Sequence, residues 1–375
     1  MIVSVYTDFS KAFDSVTHSL LFDKLKDLKL QSNILHWFQS YLTGRTQMVR
    51  VHGAISKLIY VLSGVPQGSH IGPILFLIFI NDLVLNLRFV RSLLFADDLK
   101  LYAVIRSVAD SILFQQDLDY LGEWSLRNDL PFNVSKCSVI SFSKHRAPAH
   151  FEYAISGSIL NRVHLVKDLG VTFSSDFSFS EHIKLVSLKA LRLFGFIRRV
   201  SAHFSVSTIL YLYKSIVMPI LTYASPIWSP HTRQGWDKIE SVQHHVLRFL
   251  SFKLNRPMSI YDHDYSMISG ALNVPTLESR HHTYDLALAF RVLGGHISAP
   301  DLSQLFQVRE VSYSLRAARP LFDNPARTSY RFHSVVVRVK RRWNLLSPGL
   351  ADASLETNLF KSRVKDYVLK FYVPY

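Results

Sequence analysis

The sequence contains almost no cysteine. Cys137 is the single residue of this type among 375 residues, which excludes an internal disulfide and a zinc site built from several cysteines. Adjacent histidines, as in QHHVL at 243–247 and RHHTY at 280–284, point in different directions on a helix and do not replace such a site. This composition is typical of a reducing compartment, and we expect no disulfide-linked partner.

Long apolar runs are also scarce. The most apolar segment, 71–87, is interrupted by Pro73, Asn81 and Asp82 and is shorter than the about 20 residues that a membrane span needs. We interpret it as a buried core helix and expect no membrane partner. The first residues, MIVSVYTDFSKAF, lack the pattern of a secretory signal. Together with the cysteine content, this predicts an intracellular protein, in the nucleus, the cytoplasm or both.

Acidic residues are the third deficit. Asp and Glu number 28 against 43 Lys and Arg, which leaves a net charge of +15. A surface this positive attracts polyanions; nucleic acid is the first candidate, an anionic membrane surface the second, and charge that serves only solubility the third. Glycine and proline number 14 each, too few for a long low-complexity linker.

The periodicity of the chain predicts an α+β first half. A buried strand at 2–7 is followed by helices at 19–28 and 33–42, a hairpin at 46–62, and a loop at 63–73 that leads into the apolar helix. A strand, a turn and a strand occupy 91–102, and a helix at 108–128, a strand at 138–143 and a hairpin with an edge strand at 151–174 follow.

From Glu181 onward the pattern is helical and basic. An apolar stripe at helical spacing predicts one amphipathic helix; its members are Ile183, Val186, Ala190, Phe194 and Ile197. A second basic stretch lies near the end of the chain and comprises Arg327, Arg331, Arg338, Lys340, Arg341 and Arg342. A groove for a phosphate backbone explains this bias of sign better than a solvated helix face.

Three aspartates stand where predicted strands end. Asp8 follows the first strand, and Asp97 and Asp98 lie in the turn of LLFADDLKLY. If the two strands pair in one sheet, the carboxylates converge, and three carboxylates sit together only with a cation between them. Oxygen ligands without histidine or cysteine select Mg²⁺ or Mn²⁺.

Three motifs occur in a fixed order: DFSKAFD after a strand, GVPQGS with GP before a core helix, and FADD in a hairpin. In this order they resemble the reverse transcriptase family, specifically the polymerase of non-LTR, LINE-like retrotransposons of the jockey and CR1 type. The resemblance is dense over the first half and looser through 210–230 and 239–250.

The resemblance implies an RNA-directed DNA polymerase that adds dNTPs to the 3′-hydroxyl of a DNA primer on an RNA template, using two Mg²⁺ or Mn²⁺ ions. It implies a palm at 1–178, in which helices back an antiparallel sheet, and a basic helical thumb at 179–256. A helical C-terminal region at 257–375 would suit binding of the element RNA.

Site residues follow from the same resemblance. Asp8, Asp97 and Asp98 match the metal-binding aspartates, with the Phe9 carbonyl as a further ligand, and Lys136 matches a proton donor to pyrophosphate. Phe13 matches the ring that excludes a 2′-hydroxyl. The remaining matches are Pro66, Gln67 and Gly68 under the templating base and nucleotide, the primer-gripping hairpin at 166–174, and Lys184, Lys189, Arg192 and Arg199 on the thumb.

Simpler interpretations stay open. Phe13 would serve equally as a core residue, Gln67 and Gly68 as a plain turn, and Lys136 as a surface lysine that ends a strand. The fingers and the endonuclease domain that the family carries before the palm have no counterpart here, so we expect Met1 to be internal to a longer reading frame. The alternative function is therefore a non-catalytic remnant that binds RNA or RNA–DNA hybrid.

Overall fold

The computed structural model describes residues 1–143, 151–255, 264–307, 321, 326, 328–346, 350 and 356–371. The chain divides into two compact units: unit 1 contains residues 1–166 and 174–176, and unit 2 contains residues 167–173 and 177–375. The separate thumb and C-terminal region stay a prediction, and part of the range 257–375 lies outside the described residues.

Unit 1 combines helices with short strands. Its helices are α1 (His18–Asp27), α2 (Ser32–Leu42), α3 (Gly72–Ile80) and α4 (Val108–Arg127), with a 3₁₀ turn at Asn81–Val84. Its strands are β1 (Ile2–Thr7), β2 (Thr46–Gln47), β3 (Arg50–Val51), β4 (Ala54–Ile55), β5 (Ile59–Tyr60), β6 (Arg91–Phe95), β7 (Asp98–Val104), β8 (Ser138–Phe142), β9 (Ala154–Ile155), β10 (Ser158–Ile159) and β11 (Asn161–Arg162). A further hairpin, β12 (Leu165–Asp168) and β13 (Val171–Ser174), lies where the units meet in sequence.

A five-stranded sheet in the order β11-β8-β1-β7-β6 is the centre of unit 1. β1 pairs antiparallel with both β7 and β8, and β6 pairs antiparallel with β7. The expectation of a wholly antiparallel sheet is wrong at one edge, because β11 runs parallel to β8. Val3, Val5 and Leu101 are completely buried in this sheet, in one core with residues of α1, α3 and α4.

Two hairpin predictions have different outcomes. The hairpin at 46–62 is confirmed: β2 pairs with β5 and β3 with β4, around a turn in which Gly53 has φ +89°. The hairpin with an edge strand expected at 151–174 is confirmed in part: β11 is an edge strand, but the segment forms two hairpins, β9 with β10 and β12 with β13. The strand β11 between them joins the main sheet instead.

Unit 2 is helical after its hairpin residues. Its helices are α5 (Ser180–Val200), α6 (Val206–Leu212), α7 (Met218–Thr222), α8 (Ser225–Trp228), α9 (Arg233–Lys253), α10 (Ser266–Ala271), α11 (Leu277–Leu293), α12 (Pro300–Leu305), α13 (Ser329–His333), α14 (Val335–Asn344) and α15 (Thr357–Phe371), with a π-helical turn at Tyr213–Val217. The stripe on α5 is confirmed, since Ile183, Ala190, Phe194 and Ile197 are buried and Val186 is partly buried. Among the helices of the described ranges, none has the length and apolar content that crossing a bilayer takes.

Buried charges replace part of the expected phosphate groove. Asp285 on α11 is fully buried, and its Oδ2 lies 2.8 Å from Nε of Arg338 on α14. Arg342, one turn further along α14, pairs with the same carboxylate. The interpretation of the second basic stretch as a phosphate surface is therefore wrong for these two arginines, which neutralise a buried acid.

Candidate active site

The sheet places the predicted aspartates at one end of neighbouring strands. Thr7 on β1 is paired with Leu99 on β7, so Asp8 continues the strand level with Asp98. Phe95 pairs with Asp98, which leaves Ala96 and Asp97 as a two-residue turn between β6 and β7. The strand pairing that the sequence argument required is confirmed.

The turn that carries Asp97 has an unusual backbone. Ala96 adopts φ +52°, a conformation that a residue with a Cβ rarely takes and that two-residue hairpins nevertheless require. Asp97 is half-buried, whereas Asp98 is exposed. The start of β6 is fixed by Asp117 on α4, whose carboxylate accepts the N–H groups of residues 88, 89 and 90 at 3.0, 2.8 and 2.8 Å. Sequence reasoning missed Asp117, which stabilises the β6–β7 hairpin by binding the backbone just before β6.

The backbone of Asp8 is held from the opposite side. Its carbonyl accepts the N–H of Asn133 at 2.7 Å, and its own N–H donates to Sγ of Cys137 at 3.4 Å. Burial raises the pKa of the Cys137 thiol, and the charge of Asp8 acts in the same direction. The thiol therefore stays neutral behind the carboxylate, so the negative charge at this point belongs to Asp8 alone.

The carboxylate of Asp8 is less satisfied than its backbone. Among the described residues, the buried Oδ2 accepts no hydrogen bond of good geometry, but it forms an ion pair with Nζ of the exposed Lys136 at 3.3 Å. The structure thus brings Lys136 next to Asp8, although the two are far apart in sequence. A buried carboxylate oxygen whose ion-pair partner is an exposed lysine is a point at which a further cation would be stabilised.

The donors at this end of the sheet fit a hard divalent cation in chemistry. They are carboxylate oxygens, with one carbonyl in addition: the Phe9–Phe132 bridge uses the Asp8 carbonyl and the Ser10 N–H, which directs the Phe9 carbonyl away from Phe132. Within the described residues, however, no three His, Cys, Asp or Glu side chains lie close enough together to hold a metal. The aspartates lie at the same end of neighbouring strands, but they do not form a group of three metal ligands.

The predicted nucleotide-side residues form a second group. The ring of Phe13 is partly buried and stacks on Phe76 on α3, with centroids 4.3 Å apart. Gln67 donates from Nε2 to Asp14 Oδ1 at 2.9 Å, and the Pro66 carbonyl accepts the hydroxyl of Ser69 at 2.7 Å. The loop at 63–73 is therefore bound directly to the DFSKAFD segment.

Two glycines that the sequence argument passed over make this contact possible. A Cβ on Gly64, which has φ +82°, would lie 2.8 Å from the backbone of Asp14. A Cβ on Gly72 would lie 2.6 Å from the Pro66 carbonyl. Gly68, at φ +83°, has open space around it. The glycines in GVPQGSHIG indicate tight turns in the sequence, but only the structure shows which of them lie against another part of the backbone.

The predicted thumb cations all lie in unit 2. Lys184 forms an ion pair with Glu181 at 3.6 Å. Lys189 and Arg192 line a hollow on α5, and Arg199 is exposed near the end of that helix. Within the described residues, no further contact of these four side chains indicates what they bind.

Comparison with known proteins finds a family similarity over the first part of the chain. The family profile described as "Reverse transcriptase (RNA-dependent DNA polymerase)" matches residues 3–173. These residues, slightly less than half of the chain, are similar to the reverse transcriptase family. The expected resemblance to non-LTR elements of the jockey type is confirmed, and the reverse transcriptase domain contains every predicted metal, nucleotide and proton-transfer residue.

Two curated relatives extend the similarity beyond this domain. The RNA-directed DNA polymerase from mobile element jockey of Drosophila funebris is 28% identical over 262 residues, which cover 66% of this chain and 28% of the relative. The probable RNA-directed DNA polymerase from transposon X-element of Drosophila melanogaster is 31% identical over 264 residues, with the same coverage of 66% and 28%. The chain thus matches little more than a quarter of the length of these relatives.

A solved structure is similar at a lower level. The telomerase of Candida albicans in complex with a telomeric RNA fragment shares 14% identity, with 76% of this chain and 47% of that chain covered and a TM-score of 0.33. A likeness this weak carries no argument about the site.

Proposed function

We propose that the chain carries the polymerase core of an RNA-directed DNA polymerase from a non-LTR retrotransposon. The observation that carries this proposal is the pairing of β1 with β7 inside a reverse transcriptase domain, with Asp8, Asp97 and Asp98 at one end of the pair. The reaction is nucleotidyl transfer from a dNTP to the 3′-hydroxyl of a DNA primer on an RNA template.

Asp8, Asp97, Asp98 and the Phe9 carbonyl would hold two Mg²⁺ or Mn²⁺ ions. Bound at this edge, the ions supply charge neutralisation for the attacking and leaving oxygens of the transfer. The buried Oδ2 of Asp8, to which no described residue donates a well-formed hydrogen bond and which only pairs with the exposed Lys136 in that part of the chain, supports the assignment. Lys136 balances the charge of Asp8 and, in the reaction, presents a proton on Nζ to the leaving pyrophosphate.

The remaining roles concern selection and grip. Phe13 limits the space beside the sugar, and the Pro66–Gln67–Gly68 loop supports the templating base and the nucleotide. Residues 1–178 act as palm, 179–256 as thumb, with Lys184, Lys189, Arg192 and Arg199 on template and primer phosphates, and 257–375 as an RNA-binding region. These roles are carried over from the resemblance and are supported by the position of each residue in its own unit.

The second candidate is a remnant that binds RNA or RNA–DNA hybrid without catalysis. One observation favours it: among the described residues, the acidic side chains do not form a closed group of three metal ligands. Under this alternative the basic surface of unit 2 accounts for all interaction with nucleic acid.

Primer extension on an RNA template with Mg²⁺ or Mn²⁺ tests the proposal. The parental chain should incorporate dNTPs, and Asp97→Ala should abolish incorporation while hybrid affinity stays unchanged or rises slightly, because a negative charge is lost. Asp119→Ala, which removes an exposed carboxylate on α4, is the matched control and should retain activity. Hybrid binding without incorporation by the parental chain would support the remnant, and full activity of Asp97→Ala would refute the metal assignment.

A further inference from the structure

Three hollows on unit 2 are joined through shared residues. The first, of about 990 Å³, lies between the β12–β13 hairpin residues and α5. The second, of about 460 Å³, shares Pro219 and Tyr223 with the first. The third, of about 370 Å³, lies between α11 and α15 and shares Tyr284 and Lys361 with the second. These shared residues make the hollows neighbours, and the three together are here called the unit 2 groove.

The charge of the unit 2 groove has one sign. Its charged lining residues are all basic: Lys167, Lys189, Arg192, Arg280, Arg291, Lys361 and Lys365. Of the described residues, no acidic side chain lines any of the three hollows, although the chain carries 28 acidic residues. A concave surface with cations only concentrates anions.

The cations at the far end lack counter-charges. Within the described part of the chain, Arg280, Lys361 and Lys365 form no ion pair, and the buried Nε of Arg280 has no hydrogen-bond partner. The pKa of Lys214 beside them is lowered, first by burial and then by Arg280 and Lys365. The buried Glu240, which attracts Arg280, is itself partly protonated at neutral pH, because burial raises its pKa to about 7.

Exposed aromatic rings line the groove, two of them where neighbouring hollows share residues. Tyr223 is 59% exposed and Tyr284 is 39% exposed, and Phe196 adds a further exposed ring in the first hollow. The hydroxyl of Tyr223 donates to the Leu169 carbonyl at 3.0 Å, which fixes the orientation of the ring. Exposed aromatic faces alternating with cations are the surface on which unstacked bases and their phosphates bind.

We propose that the unit 2 groove binds single-stranded nucleic acid, with bases stacked on Tyr223 and Tyr284 and phosphates on Arg280, Lys361 and Lys365. A duplex fits less well because its base faces are already stacked inside the helix, and an anionic membrane or an acidic peptide leaves the two tyrosine faces unused. This inference rests on the proposed RNA-binding role of unit 2 and deepens it, and the five residues named lie outside the matched range 3–173.

Binding by the full chain in the Asp97→Ala background separates this site from catalysis. The probes are a 12-nucleotide single-stranded RNA, a DNA of the same sequence, an RNA duplex and vesicles with phosphatidylserine, measured by fluorescence anisotropy or co-sedimentation. Tyr284→Ala should weaken binding of the single strands by about 5- to 100-fold, because one stacked base is lost. Lys361→Gln with Lys365→Gln should weaken it and reduce the salt dependence by about 0.7 per lost contact.

Tyr211→Ala and Lys238→Gln, which alter exposed residues outside the groove, are the matched controls and should bind as the parent does. Tighter binding of RNA than of DNA would assign the groove to the template or element RNA, and the reverse order to a displaced DNA strand. Affinity unchanged in both groove variants, equal loss in the controls, or a preference for the duplex or the vesicles overturns the proposal. Loss of incorporation in the parental chain, with groove binding intact, would refute only the polymerase assignment.

Discussion

Asp8 is held firmly by its backbone and loosely by its side chain. Two hydrogen bonds, to Asn133 and Cys137, fix the main chain, whereas the carboxylate has only the exposed Lys136 at 3.3 Å. An ion pair with an exposed lysine contributes little to stability because water screens it. The carboxylate can therefore exchange Lys136 for another cation at small cost, while its position on the sheet stays unchanged.

Phe13 belongs to the group of residues predicted to contact the nucleotide. Its ring packs on Phe76, so Phe13→Ala removes both packing and bulk. We expect discrimination between dNTPs and rNTPs to fall by at least about tenfold, which corresponds to about 1.4 kcal/mol. The measurement is primer extension with each nucleotide class, together with a thermal unfolding curve.

Phe13→Leu is the control for packing, because it keeps an apolar side chain against Phe76. Selectivity that falls in Phe13→Ala and is largely retained in Phe13→Leu would establish a steric role. A loss of stability in Phe13→Ala with unchanged selectivity would return Phe13 to the core.

At the scale of elements, the loop at 63–73 packs closely between the DFSKAFD segment and α3. Gly64 allows the backbones to touch, and its carbonyl accepts Nη2 of Arg45 at 2.8 Å and contacts Nε2 of His18 at 2.9 Å. Gly68 makes only the turn. Two glycines with the same backbone angle thus have different reasons to be glycine.

Gly64→Ala and Gly68→Ala form a matched pair for this difference. Both place a Cβ at positive φ, which costs on the order of 1 kcal/mol, but only Gly64→Ala also forces the Cβ against the Asp14 backbone. We expect Gly64→Ala to lower the free energy of unfolding by about 3 kcal/mol or more and Gly68→Ala by about 1 kcal/mol. Urea unfolding measures both, and equal losses would contradict the close approach.

The sequence predicted elements better than contacts. The strand before Asp8, the FADD turn and the α5 stripe follow from local periodicity, and the order of motifs located the site. The clash that makes Gly64 necessary depends on a tertiary contact with Asp14, which periodicity does not contain. Arg338 and Arg342 are four residues apart on one helix face, a spacing compatible with solvent or with a buried acid, and only the position of Asp285 decides between them.

At the scale of the whole molecule, buried histidines make unit 2 sensitive to acid. Burial lowers the pKa of His182 to about 4, of His281 to about 3 and of His282 to about 2. Both ring nitrogens of His281 have partners, the Ser229 hydroxyl and the Leu221 carbonyl, each at 2.8 Å. The folded protein thus keeps these rings neutral at pH values where an unfolded chain protonates them.

We predict that the free energy of unfolding of unit 2 falls as the pH drops from 7 to 5. Below about pH 6.5 the histidines of the unfolded chain bind protons, whereas those of the folded chain stay neutral. Each ring thereby lowers the free energy of unfolding by up to about 1.4 kcal/mol per pH unit. Glu240 acts in the opposite direction, since its raised pKa of about 7 means that its protonation stabilises the folded state as the pH drops. The raised pKa of Glu278 acts like that of Glu240, and the lowered pKa values of His231 and His333 act like those of the three buried rings. We expect a net fall of about 3 kcal/mol, measurable by urea unfolding at both pH values.

Two variants with opposite signs check the assignment. His182→Asn keeps an acceptor for the N–H of Thr172, which bonds to Nδ1 at 3.1 Å, and should reduce the net fall by about half. Glu240→Gln removes the compensating protonation and should make the fall larger. A stability that stays constant or rises between pH 7 and pH 5 would show that these histidines are not shielded in the fold.

The ion pairs of Asp285 with Arg338 and Arg342 determine how well the chain tolerates C-terminal truncation. The acid lies on α11 and both of its cations lie on α14, so the two helices depend on each other for electrical neutrality. A version of this polypeptide that stopped ahead of residue 335 would keep the carboxylate and lose its whole counter-ion supply. Helix α14 is therefore an integral part of unit 2, and nonsense mutations ahead of residue 338 should be as damaging to it as substitutions in its apolar interior.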